Sequence, residues 1–374
     1  MLKVNRRDCI QGTLAALTLA GARTALGSSP QEPRAPRRTT PSGKGGLIFT
    51  ERFYPNEDHK IALSVQSGLK YTIIDVSPVL GSVSRERYVE TLEQIKCGLQ
   101  QKGLGIAGIE SHPVKTVKIR LGLPGRDEEL EDYVAAVTAL GKVGIPMLCW
   151  HFTACPPNIT SWVRTRVDAP ARGGALTTEF DRAAAQRLGL TEAGVVPEEK
   201  IWANLEYFLK AVIPVAEKAN VKMALHPDDP PVSPMRGIGR VITSAKNYRR
   251  MMDMVPSPIN GVTYCQANFK LMGEDIAALA REWIAQKKIF FVHWRDVDGD
   301  TRYFKETFQD NGPTDMAEML RIYSEADYDL PIRPDHDPTM DGDPNDQPGY
   351  AFTGKVFAVG YMKGIMDGLH LHYT

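Results

Sequence analysis

The sequence predicts an α/β protein built as one (β/α)8 TIM barrel with a long loop insertion after its fourth strand. Three observations predict it. From residue 46 onward, eight short apolar runs alternate with eight longer segments of helical pattern. The 374 residues accommodate a barrel of about 250 residues together with insertions. No glycine-rich phosphate fingerprint follows the early strands, which weighs against the doubly wound open sheet that the same alternation also allows.

The chain ahead of the barrel reads as an address. Lys3, Arg6 and Arg7 precede an uncharged, small and apolar stretch from Ile10 to Ala22, and Ala25-Leu26-Gly27 offers small residues to a signal peptidase. Residues 1–27 are therefore expected to be an export signal. The Arg6-Arg7 pair resembles a twin-arginine signal, which exports folded proteins, here to the periplasm. If the signal does not function, the cytoplasm is the expected location. Residues 28–45, rich in Ser, Pro, Arg and Gly, are expected to form a disordered linker, and 46–374 a single catalytic domain. The leader's apolar run is too short to span a bilayer comfortably, and no later stretch is long and apolar enough for a membrane helix.

The strands expected in order are 47–53, 71–76, 104–110, 146–150, 221–226, 261–265, 289–294 and 331–335. Between and after them lie expected helices at 59–68, 85–102, 127–142, 199–219, 244–254, 274–287, 314–325 and 352–368. The 199–219 segment is the clearest, with Leu205, Phe208, Leu209, Val212 and Val215 at helical spacing and Lys218-Ala219-Asn220 as a stop. The stretch 151–197 is rich in Pro, Arg, Gly and Thr and is expected to be a lid-like loop over the C-terminal face of the barrel.

Charge excludes some functions. The 45 basic residues balance 45 acidic ones, but residues 1–45 hold eight of the bases and two of the acids. The body is therefore net negative by 6, which argues against nucleic acid as the main partner. An anionic substrate would have to be recognised by a few local cations or a metal. Five cysteines in this length are no disulfide scaffold. Self-association into a homo-oligomer is left open.

The ends of strands five to eight carry His226, Cys265, His293 and Asp335. Neighbouring strands lie about 5 Å apart, so groups at four consecutive ends of a barrel can converge. A mixed N, S and O set suits a borderline divalent ion such as Mn, Fe, Co or Zn. Arg295 lies on the same side of its strand as His293, and Arg333 on the same side as Asp335. An arginine there suits a substrate carboxylate. His336 is a candidate proton donor or acceptor, and Tyr350, in a Pro-Gly-Tyr turn, a candidate base whose phenol pKa would fall near a cation. Glu110 and His151, after strands three and four, are secondary substrate candidates, as are Arg164 and Arg166 in the long loop and Lys305. Asp228 and Asp229 are expected to form a turn.

Residues 204–231 (NLEYFLKAVIPVAEKANVKMALHPDDPP) resemble the signature stretch of mannonate dehydratases. The resemblance continues through GVTYC (261–265), FVHWRDV (291–297), FKE (304–306), DLPIRPDH (329–336) and QPGY (347–350), and reaches back to GIESHPV (108–114). It implies a metal-dependent (β/α)8 barrel that dehydrates a sugar acid, D-mannonate or a related aldonate or uronate, to a 2-keto-3-deoxy acid. It places the metal on His226, Cys265, His293 and Asp335, with Mn the first choice and Fe or Zn next. Catalytic roles fall on His336 and Tyr350, and substrate binding on Arg295. Tyr350 is expected as the base and His336 as the acid. The chain departs from the family at 266–270, at Lys305 and at 337–340, so the groups that read the substrate's tail are expected to differ. A sugar isomerase or epimerase on the same barrel and a non-catalytic, exported carbohydrate-binding protein are the alternatives. Export of the folded, metal-loaded protein would protect the Cys265 thiolate, with Cys97, Cys149 and Cys155 unpaired.

Overall fold

The first apolar run, 47–53, is where the barrel closes. The computed structural model describes residues 46–156 and 162–374, so the expected signal (1–27) and linker (28–45) lie outside the described residues. The strands are β1 (Leu47–Phe49), β2 (Arg52–Phe53), β3 (Tyr71–Ile74), β4 (Gly105–Glu110) and β5 (Met147–His151). Then come β6 (Arg166–Pro170), β7 (Leu176–Asp181), β8 (Lys222–His226) and β9 (Asn260–Cys265). The chain continues through β10 (Ile289–Trp294), β11 (Val297–Gly299), β12 (Tyr303–Glu306) and β13 (Leu330–Pro334). One parallel sheet runs in the order β1-β13-β10-β9-β8-β5-β4-β3-β2. Its two edges, β1 and β2, belong to the same run of chain. The expected single first strand is thus two short ones, because it changes partner midway. Leu47 pairs with Leu330 on one side and Arg52 with Ile73 on the other. Between them the Thr50 amide donates to the Ile332 carbonyl at 2.9 Å, and the Ile73 amide donates to the Glu51 carbonyl at 3.0 Å. Counting β1 and β2 as one, eight parallel strands close the barrel.

The interior is packed rather than open. Ile73, Ala107, Met147, Cys149, Ala224, Phe290 and Phe291 form a buried cluster inside the strands. Two glycines make room for its largest members. A Cβ on Gly108 would lie 2.4 Å from Met147 Cε, and one on Gly261 would lie 2.5 Å from the Phe290 ring. The larger core lies between strands and helices. The helix Glu198–Ala219 contributes Leu205, Phe208, Leu209 and Val212, each worth about 1.5–3 kcal/mol when fully buried. It stops where Asn220 turns left-handed at φ 53°. The helices beginning at Ala245, Ile276 and Met316 are each capped by the preceding side chain, Ser244, Asp275 and Asp315.

The segment 151–197, expected as loop, instead holds β6, β7 and a short helix, Arg182–Arg187. β6 and β7 join β12 and β11 in a four-stranded antiparallel sheet of order β11-β12-β7-β6. Its apolar face buries Phe180 and Phe304, whose rings stack at 5.5 Å, in a cluster with Val163, Val232, Met235 and Leu271. This accessory sheet grows from the chain that follows β5 and β10, so it stands at the C-terminal end of the barrel strands.

Candidate active site

β8 ends at His226 and β9 at Cys265, while His293 is the last residue but one of β10. Register sets them side by side, with His293 opposite Cys265 and His226 opposite His151 of β5. The ligand atoms of His226, Cys265 and His293 all lie within 4.8 Å of one another. Asp335 follows β13 directly, and its Oδ2 is 3.2 Å from His293 Nδ1. The structure therefore brings together the four residues expected from the strand ends.

This donor set fits a divalent ion. Both ring nitrogens of His293 are buried without a well-formed hydrogen bond, facing the carboxylates of Asp335 at 3.2 Å and Glu110 at 3.5 Å. His226 Nδ1 donates to the Pro227 carbonyl at 2.8 Å, which fixes the tautomer and leaves Nε2 for a ligand. Burial opposes ionisation of the Cys265 thiol, but the Arg295 guanidinium and the two histidines hold it well below the usual thiol range. Burial likewise opposes protonation of His293, yet Asp335 pulls it well above the usual histidine value. A buried thiolate and carboxylate beside two imidazoles form a site that favours positive charge.

Behind these ligands lies a layer of buried ion pairs. Arg295 Nε is 3.2 Å from Cys265 Sγ and 3.2 Å from Asp335 Oδ2. Its Nη1 is 2.8 Å from Glu306 Oε1 and its Nη2 2.5 Å from Asp229 Oδ2. Arg164 binds the same two acids, Asp229 at 2.6 Å and Glu306 at closer range. Arg333 joins Glu110 to Asp335, at 2.7 Å each. Asp229 is therefore a junction of ion pairs rather than the turn former expected from its sequence context.

His336 and Tyr350 meet in front of this layer. His336 Nδ1 lies 2.7 Å from Glu306 Oε1, and Nε2 lies 3.1 Å from the Tyr350 hydroxyl. Burial raises the Glu306 pKa, but His336, Arg164 and Arg295 draw it down to about 2, so it is a carboxylate. The proton on Nδ1 therefore faces Glu306, and Nε2 accepts from Tyr350. The phenol, expected to be lowered by a cation, is pushed up by burial and by Asp335, against Arg333 and Arg52. His336 itself holds a left-handed backbone at φ 53°, which costs a non-glycine residue energy and is tolerated where surrounding contacts enforce it.

A cavity of about 520 Å³ opens onto these groups. Arg52, Glu110, His151, Trp162, His226 and Tyr350 are among its walls. The volume falls in the range of about 300–1,000 Å³ usual for small-molecule sites. Burial, with His112 and the Arg120 guanidinium nearby, holds the His151 pKa well below its usual value, so its imidazole is neutral.

Several expected substrate groups lie elsewhere. Arg295 and Arg164 are buried behind the wall, each with a side chain 1% exposed, because carboxylates claim them. Lys305 donates to the Pro170 carbonyl on the accessory sheet, and Arg166 pairs with Asp168 in solvent. Neither reaches the cavity. Cys149, Cys155 and Cys265 are free thiols. Cys97 is disulfide-bonded, which corrects the expectation of a free thiol there; it sits on the outer helix Tyr88–Gln101, away from the barrel interior. The sequence reading missed three groups of the site: Glu306, Asp229 and Arg52. Glu306 closes the FKE run already noted, and Arg52 stands at the end of the first expected strand. Among the described residues no helix is long and apolar enough to cross a membrane.

A family model described as D-mannonate dehydratase (UxuA) matches residues 79–194 and 190–374. The mannonate dehydratase of Streptococcus equi subsp. zooepidemicus is 32% identical over 306 residues, covering 75% of this chain and 82% of that protein. The crystal structure of mannonate dehydratase from Streptococcus suis serotype 2 superposes with a TM-score of 0.75 at 29% identity, over 87% of this chain and 93% of that one. D-psicose 3-epimerase from Clostridium cellulolyticum H10, 13% identical with a TM-score of 0.51 over 77% of this chain and 84% of its own, shares the fold alone.

Proposed function

This chain belongs to the mannonate dehydratase family, and on that premise we propose that it is a hydro-lyase that converts D-mannonate to 2-keto-3-deoxy-D-gluconate. One observation carries the proposal: three donor side chains placed to hold a metal and a Tyr350–His336–Glu306 hydrogen-bond chain share one cavity.

Dehydration removes the proton at C2, beside the carboxylate, and the hydroxyl at C3. Loss of the C2 proton makes a doubly charged enediolate. His226, Cys265 and His293, with Asp335 beside them, would hold a divalent ion, Mn by preference and Fe or Zn next. When bound, such an ion supplies electrostatic stabilisation of that charge. The protein's own groups handle the protons. His336 Nε2 takes the C2 proton, because its Nδ1–H is fixed on Glu306 and Nε2, which faces the Tyr350 hydroxyl, carries the ring's open lone pair. Tyr350, kept protonated by burial, gives its proton to the departing C3 oxygen, which leaves as water. This assignment reverses the order expected from sequence. The proton on His336 then returns to the Tyr350 oxygen across their 3.1 Å contact, and the enol product tautomerises to the keto acid. Arg295 acts as a positioning residue between Cys265, Asp229 and Glu306. The sequence also supports delivery outside the cytoplasm by the 1–27 signal, which N-terminal sequencing of the native protein would test.

The deciding experiment incubates purified, Mn-loaded protein with D-mannonate and identifies products by NMR and mass spectrometry. A 2-keto-3-deoxy acid, lighter than substrate by one water, is expected. A product of unchanged mass would assign the site to isomerisation or epimerisation instead. Tight sugar binding without turnover would assign it to a binding protein.

A further inference from the structure

A carboxylate in this cavity needs a cation, and four arginines surround it. Three are occupied by the protein. The side chains of Arg295, Arg333 and Arg164 are 1%, 0% and 1% exposed and face Asp229, Glu306, Asp335 and Glu110. Arg52 differs. Its side chain is 17% exposed, and it is the one Arg or Lys among the described residues of the cavity wall. It is also aimed. Nη2 lies 2.5 Å from Asp75 Oδ2, and Asp75 in turn accepts from the Ser77 amide and hydroxyl at 2.9 and 2.6 Å. The guanidinium carbon lies 4.9 Å from the centre of the Tyr54 ring and 5.8 Å from that of Tyr350. The run 47–53 that carries it pairs with β13, the strand that leads into Asp335, His336 and the loop of Tyr350.

We propose that Arg52, rather than Arg295, receives the substrate's carboxylate, which rests on the sugar-acid activity proposed above. C2 is bonded to the carboxylate carbon. A carboxylate on Arg52, beside the Tyr350 ring, therefore brings C2 to the Tyr350–His336 pair. Charge that builds on the carboxylate oxygens as the C2 proton leaves then falls on a guanidinium already oriented by Asp75. Arg52 is thus the residue that separates aldonates from neutral sugars and alditols of the same length.

A chemical cycle tests this without relying on turnover. D-Mannonate and its neutral amide are titrated by calorimetry into the metal-loaded protein carrying Tyr350→Phe, with and without Arg52→Met or Arg52→Lys. Arg52→Met should weaken binding of the acid about 10- to 100-fold and leave the amide within twofold. Arg52→Lys should recover part of the loss for the acid alone. Equal loss for acid and amide would make Arg52 a structural residue, and no loss for either would place the carboxylate elsewhere. If Arg52→Met fails to fold, the milder Arg52→Lys carries the same comparison. A panel of other aldonates keeps this result separate from the substrate assignment. Carboxylate-dependent binding through Arg52 in a protein whose native form dehydrates none of them would overturn the activity and leave the anchor standing.

Discussion

His226, Cys265 and His293 reach the site from neighbouring parallel strands, whereas Glu306 reaches it on an antiparallel sheet and Arg164, 142 positions away in the chain, from the segment that leads into that sheet. The two regions contribute differently. The barrel places donor atoms at strand ends, where β8, β9 and β10 fix their spacing through register. The accessory sheet places no donor atom on the metal site. It brings Glu306 to His336 and, with Arg164, neutralises acids behind the wall. In the proposed mechanism, chemistry thus sits on the parallel frame, and orientation on the added sheet. Substitutions in the first should abolish function, and those in the second should detune it or weaken the fold.

Tyr350→Phe should have the largest effect. It removes the proton for the C3 oxygen and should lower kcat by about 1,000-fold, within the span usual for a general acid or base. The bound metal, measured by elemental analysis, should be unchanged, because the Tyr350 hydroxyl contacts His336 and is not one of the ligands. Near-normal turnover would remove Tyr350 from the chemistry. On the accessory side, Arg164→Ala should cost stability before activity. It leaves Asp229 and Glu306 buried with Arg295 as their remaining arginine, and breaking such a pair costs about 3–5 kcal/mol. A lower midpoint of thermal unfolding would show it. An unchanged midpoint would mean that the sheet is not bound to the barrel through these charges.

Glu306→Gln should be milder, a loss of about 10- to 100-fold in kcat with metal retained, as for groups that orient a functional histidine. Its pH signature is separate. The Glu306 pKa is depressed from 4.5 to about 2, so its contribution to stability is present above pH 4.5 and is lost as pH falls towards 2. The gap in unfolding midpoint between wild type and Glu306→Gln should therefore narrow over that window. A constant gap would show that the carboxylate charge is not what matters.

The same contrast explains what the sequence could reveal. The barrel was legible because each strand end is a local event. The run IFFVHW stops where its hydrophobic pattern stops, and His293 stands there. Four such ends made a candidate donor set visible without any knowledge of pairing. The accessory sheet was not legible, because Glu179 of β7 pairs with Lys305 of β12 across a long stretch of chain, and no local periodicity reports a partner so distant. Glu306 and Asp229 were missed for that reason. Arg295 was legible as a strand-end arginine, but its partner Asp229 lies 66 positions away and Glu306 returns to it across the β11–β12 hairpin, so its burial was hidden. Arg52 was missed for a different reason. The first strand breaks at Thr50-Glu51 to close the barrel, a consequence of topology that leaves no mark in the composition of LIFTERF.

Lys305 sharpens the comparison at its small end. Burial along β12 alternates, with Phe304 and Glu306 buried and Tyr303 exposed. Alternation places Lys305 on the face opposite Glu306, where its Nζ meets the Pro170 carbonyl at 3.0 Å. A residue on that face touches neither the cavity nor the ion pairs. Lys305→Ala should therefore change stability by no more than about 0.5 kcal/mol and leave kcat/KM for D-mannonate unchanged. The neighbouring Glu306→Gln, one position along the same strand, should cost at least about tenfold. Steady-state kinetics of the two variants side by side measures the polarity of the sheet directly. A loss with Lys305→Ala as large as that with Glu306→Gln would mean that both faces of the accessory sheet act on the substrate, and the division of labour between frame and sheet would fail.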